Sequence, residues 1–118
     1  MLQYSRADRL GDLMQREISD ILHKRIRDPR IGFCTIIRVE VSKDLRHAKV
    51  YVSIMGTEDQ QKSTLAGLKS ATGFIRREIG SRIELRHTPE ILFKIDKSVD
   101  HSIRIARLIE EVKESETT

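Results

Sequence analysis

A basic stretch between residues 69 and 88 holds the side chains best suited to binding phosphate. Its cations outnumber its two acids by three and are Lys69, Arg76, Arg77, Arg82 and Arg86. A guanidinium can grip a phosphate through two hydrogen bonds. Arg76 and Arg77 follow the small-residue segment Ala71-Thr72-Gly73, where exposed backbone N–H groups would favour an anion. The stretch predicts a phosphate-binding face, and the alternative is a solvated helix surface with local ion pairs such as Arg82 with Glu78.

Residues able to catalyse a reaction or hold a metal are not arranged in any pattern that these chemistries need. The chain has no GxxxxGK[ST], GxGxxG, HExxH or GxSxG segment, the motifs of phosphate loops, dinucleotide folds, zinc proteases and nucleophile elbows. Its four histidines form no HxH or HxxxH pair. The single cysteine, Cys34, can form no internal disulfide and is typical of a small core side chain. We therefore expect no catalytic residue, no metal and no cofactor.

The composition favours a polyanionic partner. The chain has 118 residues, which suits one domain, and 34% of them are charged, against ~25% in an average protein. The net charge is +4, but residues 108–118 carry four acids against one lysine, so the rest of the chain carries +7. No apolar run approaches the ~18–20 residues of a membrane span, and the first nine residues lack the apolar stretch of a secretion signal. We expect a cytoplasmic protein without membrane contact.

The first half of the chain predicts a helix followed by a hairpin. Ser5 to Asp8 has the form of a capping box, and apolar residues then recur at three-and-four spacing until Pro29 ends the helix. From Phe33 the period changes to two: apolar and polar residues alternate through 37–42 and again through 47–54, on either side of a turn at 43–46. This period of two predicts antiparallel strands with one apolar face.

The second half predicts two helices, a strand and a last helix. Thr57 with Gln60 can cap a helix, and one apolar face continues to about residue 84, but the weak helix formers at 70–73 predict a bend between two helices. A third strand follows Pro89, and a final helix from about Ser98 places four apolar side chains inward: Ile105, Leu108, Ile109 and Val112. The order α-β-β-α-α-β-α predicts a two-layer α+β sandwich, with a three-stranded sheet covered by helices on one face.

These elements and their motifs resemble a type II KH domain, and in particular the bacterial ribosome-binding factor A family. The motifs are Ser5-Arg6-Ala7-Asp8-Arg9-Leu10, Ala71-Thr72-Gly73, Arg76-Arg77, and Arg86-His87-Thr88-Pro89-Glu90-Ile91-Leu92-Phe93 leading to Asp96-Lys97-Ser98. They imply a KH-like domain over residues 1–109 and a short acidic, frayed tail over 110–118. An ordinary KH domain grips RNA backbone with a GxxG loop. This chain has none, and the AxG bend of the family, Ala71-Thr72-Gly73, stands in its place.

The resemblance implies a non-catalytic role in assembling the ribosome. The expected partner is the free small (30S) subunit and its 16S rRNA, whose late maturation and 5′-end processing the factor would assist, above all in the cold. A ribosome-associated GTPase would help release the factor, which would act as a monomer. The first set of expected RNA contacts surrounds the bend and comprises Lys69, Ala71, Thr72, Gly73, Arg76, Arg77, Arg82 and Arg86. A second set comprises Arg27, Arg30, Lys43, Arg46 and His47.

Two other functions stay open at this point. One is a generic KH-like binder of single-stranded nucleic acid, which the missing GxxG loop argues against. The other is a protein-interaction module whose charge serves only solubility. A sheet that stacks bases on several exposed rings is disfavoured, because the alternation places at most one aromatic residue, Tyr51, on the open face.

Overall fold

The first helix, α1, spans Arg6–Lys24 in the computed structural model, which describes residues 3–96. Ser5 and Asp8 form the predicted capping box: the Asp8 N–H donates to the Ser5 hydroxyl at 3.1 Å, and the Ser5 N–H donates to the Asp8 carboxylate at 3.0 Å. The apolar stripe predicted from the spacing is buried and includes Leu10, Met14, Ile18, Ile21 and Leu22. Gly11 lies in the same stripe, where a Cβ would collide with the carbonyl oxygen of Val39.

The next two elements form the predicted antiparallel hairpin. Strand β1 spans Cys34–Val41 and strand β2 spans His47–Ile54. Leu45, in the turn between them, has a φ of 61°, which lies in the left-handed region. The apolar residues of β2 all face the core: Ala48, Val50, Val52 and Ile54.

Strand β1 contains a bulge that changes which of its side chains reach the core. Its alternation predicts that Ile37 shares the apolar face with Val39. In the structure the pairing register shifts between Ile36 and Arg38, so Ile36 is buried and Ile37 is only partly buried. The side-chain amide of Gln15 in α1 donates to the Ile37 carbonyl at 3.0 Å, which satisfies the backbone at the bulge.

The second helix, α2, is one continuous element that spans Glu58–Arg82. The predicted capping box of Thr57 and Gln60 begins it. The prediction of two helices meeting at a bend is therefore wrong, and the order of elements among the described residues is α-β-β-α-β.

Packing explains why the weak helix formers at 70–73 do not break α2. The Thr72 hydroxyl donates to the Leu68 carbonyl at 3.1 Å, so it bonds to the turn before it within the same helix. Leu68, Ile75 and Ile79 lie on both sides of this segment and are completely buried. Tertiary burial of an apolar face stabilises a helix more than local propensity does.

The third strand, β3, spans Glu90–Ile95 and lies beside β2, parallel to it, so the mixed sheet has the order β1-β2-β3. Both helices pack on the sheet face that carries Val50 and Phe93, which gives the predicted two-layer α+β sandwich. The predicted last helix, the acidic tail and the domain boundary at residue 109 lie outside the described residues.

The open face of the sheet carries a small polar network instead of free rings. The Arg38 guanidinium lies 4.0 Å from the centroid of the Tyr51 ring and donates to the Asp96 carboxylate at 2.8 Å and to Glu40 at 3.3 Å. The ring that the sequence places on this face is thus covered by a cation. A base could stack there only after displacing Arg38.

Candidate nucleic-acid interface

The solvent-facing side of α2 presents two cations around a glycine. Lys69, Gly73 and Arg77 follow one another at four-residue spacing, so they lie in line on one helix face, and all three are exposed. Neither Lys69 nor Arg77 forms a side-chain hydrogen bond or ion pair with another residue in the range 3–96. A Cβ at Gly73 would meet open space, so a ligand can approach the helix backbone between the two cations. We call these three residues the α2 cationic face.

Arg76, although adjacent to Arg77, points to a different side of the helix and has internal partners. Its guanidinium donates to the Thr88 carbonyl at 2.9 Å and to the Pro89 carbonyl at 3.1 Å, and it lies 3.5 Å from the Glu90 carboxylate. These bonds hold the segment that leads into β3. The prediction that Arg76 contacts phosphate stays a prediction, and its N–H groups at Nε and Nη2 already have acceptors in the free protein.

Arg82 joins α2 to α1. Its guanidinium lies 2.9 Å from the Glu17 carboxylate, 2.8 Å from Asp20 and 3.6 Å from Glu78, and its side chain retains 25% exposure. The hydrogen bond from Arg82 holds the pKa of Asp20 below its usual value. The local pair with Glu78 that the sequence offered as an alternative is thus present, and two acids from α1 extend it.

The segment at 70–74 faces the end of α1 across a small cleft. Arg25, Arg27, Ala71 and Phe74 are among the residues that line this cleft, whose volume is about 250 Å³. Arg25 is paired with Glu78 at 3.4 Å. The exposed Arg27 forms no ion pair within the described chain, so the structure places a free guanidinium beside Ala71. Thr72 is partly buried and bonds within the helix.

Arg30 lies in the loop after α1 and is paired locally. Its guanidinium donates to both carboxylate oxygens of Asp28, the shorter bond being 2.7 Å, and these bonds hold the pKa of Asp28 below its usual value. The Thr64 hydroxyl of α2 donates to the Arg30 carbonyl at 3.1 Å. Arg30 therefore belongs to an organised loop rather than to the α2 cationic face.

The remaining predicted cations gather near the starts of β2 and β3. A cavity of about 290 Å³ is lined by Arg46, His47, Arg76, His87, Thr88 and Glu90. Lys43 in the hairpin turn and Arg86 before β3 are exposed, and neither has an ion-pair partner among residues 3–96. The structure therefore divides the predicted cations into three sets. Arg27 lies near the α2 cationic face, Arg30, Arg76 and Arg82 are internally paired, and the second group comprises Lys43, Arg46, His47 and Arg86.

One exposed ring was missed by the sequence reasoning. Phe33 is 78% exposed, and Met55, 63% exposed, donates its backbone N–H to the Phe33 carbonyl at 3.2 Å. The sequence pattern predicts that the first strand begins at Phe33, whereas β1 begins one residue later, at Cys34. The position of Phe33 next to Gly32, outside any apolar stripe, is the signal that could have identified it.

The described part of the chain contains neither a metal-binding cluster nor a membrane-spanning helix. Among residues 3–96, no three His, Cys, Asp or Glu side chains are grouped so that they could hold a metal ion. None of the helices described there is long and apolar enough to cross a membrane. Burial raises the pKa of the Cys34 thiol to about 11, which keeps it protonated at neutral pH.

Comparison with known proteins identifies the family. The family model described as Ribosome-binding factor A matches residues 6–109. The chain belongs to the ribosome-binding factor A family. It is 52% identical to the ribosome-binding factor A of Halothermothrix orenii over 115 aligned residues. The alignment covers 98% of this chain and 94% of that relative. It is 50% identical over 111 residues to that of Desulfitobacterium hafniense, covering 94% and 89%.

Solved structures of the ribosome-binding factor A family share the fold. A solution NMR structure of a Thermotoga maritima protein of this description has a TM-score of 0.72 at 40% identity and covers 80% of this chain and 90% of its own. The crystal structure from Thermus thermophilus has a TM-score of 0.68 at 23% identity, covering 77% and 97%. A homology model of a Thermus thermophilus ribosome binding factor A, fitted into a cryo-EM map of a 30S complex, has a TM-score of 0.63 at 24% identity, covering 75% and 93%.

Proposed function

We propose that this chain binds the small ribosomal subunit through the α2 cationic face and assists the late maturation of that subunit, including 5′-end processing of 16S rRNA, without catalysing a reaction. Membership of the ribosome-binding factor A family supports this proposal. So does the fit of a Thermus thermophilus relative into the map of a 30S complex.

The α2 cationic face is the observation that carries the proposal. Lys69 and Arg77 are exposed and without partners in the described chain, and Gly73 leaves room between them. Cations that are not already neutralised by protein acids release counterions when they meet phosphates, and this release drives binding to RNA. The helix presents charges but no groove lined by groups that could read the bases. It therefore recognises the path of the RNA backbone and not the base sequence.

The cations that have internal partners hold α2, and with it the α2 cationic face, in position. Arg82 ties α2 to α1, and Arg76 ties it to the segment before β3, so the helix is fixed against both neighbours. With the helix fixed, binding has to order only the side chains of Lys69 and Arg77, not the backbone that carries them. Arg27 beside Ala71 extends the positive surface, and the outer contacts are Lys43, Arg46, His47 and Arg86.

The proposed mechanism is a binding mechanism. A protein that binds the mature arrangement of RNA more tightly than its precursors shifts the population towards that arrangement. This help matters most in the cold, where misfolded RNA rearranges slowly. We further propose that the chain acts in the cytoplasm as a monomer and leaves the subunit with the help of a ribosome-associated GTPase.

A salt series with matched variants tests the proposal. The double variant Lys69→Ala/Arg77→Ala removes both cations of the face, and we expect weaker binding to purified small subunits with a salt slope less steep by about 1.4–1.8, since each lost phosphate contact contributes ~0.7–0.9. Arg16→Ala is the control, because Arg16 is an exposed arginine on the outer side of α1 without an ion-pair partner in the described residues. Equal affinity and equal slope for the double variant and the wild type would remove the α2 cationic face from the interface.

A second experiment separates this function from a generic single-strand binder. Short RNA oligonucleotides of mixed sequence should bind the wild type much more weakly than small subunits do, because they present phosphates in no fixed arrangement. Binding of both with similar affinity would favour the generic binder.

A further inference from the structure

Phe33 has the largest exposed fraction of the bulky apolar side chains that the structure describes, at 78%, yet its backbone is held on both sides. On one side, the Thr64 hydroxyl of α2 donates to the Arg30 carbonyl at 3.1 Å and accepts from the Gly32 N–H at 3.3 Å. On the other side, the Met55 N–H donates to the Phe33 carbonyl at 3.2 Å. These bonds hold the backbone around Phe33 in place, so the ring is already positioned for contact with a ligand.

The ring borders a groove between the end of α1 and the start of β1. The groove has a volume of about 570 Å³, within the ~300–1,000 Å³ of typical ligand sites. Its lining includes Leu22, His23, Ile26, Arg27 and Ile31 together with Phe33. Nδ1 of His23 donates to the Ser19 carbonyl at 2.6 Å, which fixes the orientation of a second flat ring in this lining.

Arg27 gives this groove, whose lining is largely apolar, a cation that can meet an anionic group of a ligand. Arg27 is exposed and has no ion-pair partner in the described chain. The acid among the lining residues, Asp28, is already held by the Arg30 guanidinium at 2.7 Å. Phe33 and Arg27 line the same groove. Proteins hold single-stranded nucleic acid with such a combination, the ring stacking on a base and the cation neutralising a nearby phosphate.

We propose that Phe33 stacks on an unpaired base of the small-subunit RNA, seated at this groove, while Arg27 holds the adjoining phosphate. This inference rests on the proposed function and adds to it a contact with an unpaired base, in a groove that adjoins the α2 cationic face through Arg27. The protein would then touch a single-stranded nucleotide as well as the backbone of folded RNA.

Three substitutions at one position test the stacking. We expect Phe33→Ala and Phe33→Leu to weaken binding to small subunits by about 5- to 160-fold, the range of base–aromatic stacking, and Phe33→Tyr to bind like the wild type. None of the three changes a charge, so the salt slope should stay that of the wild type. Wild-type affinity for Phe33→Leu or Phe33→Ala would overturn the proposal, and Phe33→Leu keeps this test available if Phe33→Ala does not fold.

A crosslink identifies the class of molecule that meets the ring. A photoreactive phenylalanine analogue at position 33, irradiated on the small subunit, should attach to rRNA. Attachment to a ribosomal protein instead would show a protein-docking site and overturn the proposal. If the wild type itself does not bind small subunits, the proposed function fails, whereas loss of the stacking effect alone leaves that function intact.

Discussion

Arg76 and Arg77 are neighbours in the sequence, but the structure gives them different roles, one in stability and one in RNA binding. Alanine substitution separates the two roles. Arg76→Ala removes a guanidinium that donates to the Thr88 and Pro89 carbonyls at 2.9 and 3.1 Å. Arg77→Ala removes an exposed guanidinium that has no partner in the described residues. The first change should lower stability and the second should lower RNA binding.

The magnitudes follow from these contacts. A hydrogen bond to a charged group contributes ~1.5–3 kcal/mol when well buried, but the Arg76 side chain is 33% exposed, so we expect a loss of about 1–2 kcal/mol for the pair of bonds. The ion pair with Glu90 adds little, because the Glu90 side chain is 68% exposed. For a chain of 118 residues, such a loss lowers Tm by roughly 4–8 °C. Arg77→Ala should change stability by less than ~0.5 kcal/mol and make the salt slope of small-subunit binding less steep by about 0.7–0.9.

Urea unfolding and subunit binding, measured on both variants at a temperature where both are folded, complete the experiment. Arg76→Lys is the informative control, since lysine keeps the charge but lacks the planar fork that reaches two carbonyls, and we expect it to remain destabilised. If Arg76→Ala is as stable as the wild type and instead loses a phosphate contact, the assignment of stability to Arg76 and of RNA binding to Arg77 is refuted.

Three further predictions concern the scaffold of the interface. Gly11→Ala should destabilise the protein by about 1–2 kcal/mol in urea unfolding, because the collision with the Val39 carbonyl outweighs the gain in helix propensity; equal or higher stability would contradict the close packing of α1 on β1. Thr64→Val should cost about 1–2 kcal/mol and speed amide hydrogen exchange at Gly32, which loses its acceptor; unchanged exchange would contradict the anchored loop. Cys34, whose pKa is raised to about 11 by burial, should react slowly with iodoacetamide at pH 8 and faster as the pH rises or urea is added; rapid labelling of the folded protein at pH 8 would contradict its burial.

The elements with clear periodicity could be predicted from the sequence. The capping boxes at Ser5 and Thr57 mark both helix starts, and the alternation through 47–54 gives β2 and its buried face. The continuity of α2 could not be read in this way. Local propensity at 70–73 argues for a break, and the burial of Leu68 and Ile75 that overrides it depends on the sheet beneath.

The sequence predicts which residue types form the candidate site, but it does not predict the partners of their side chains. The sequence identifies the cations of α2 as a group, yet it cannot show that Arg82 meets two acids of α1 or that Arg76 meets backbone carbonyls, since these partners are distant in the chain. The β1 bulge could not be predicted from the sequence either, because one extra residue in a strand leaves its sequence of apolar and polar residues nearly unchanged. The alternation predicts that Phe33 begins the first strand, so its exposure, one residue before β1 starts, is not part of that prediction.

Sedimentation of a tagged copy of this chain through a sucrose gradient of cell extract tests the central claim most directly. We expect the chain to travel with free small subunits, to be absent from translating ribosomes, and to leave the small-subunit fractions when the extract is treated with ribonuclease or raised in salt. A chain that stays at the top of the gradient, or that follows translating ribosomes as well as it follows free small subunits, would contradict the account.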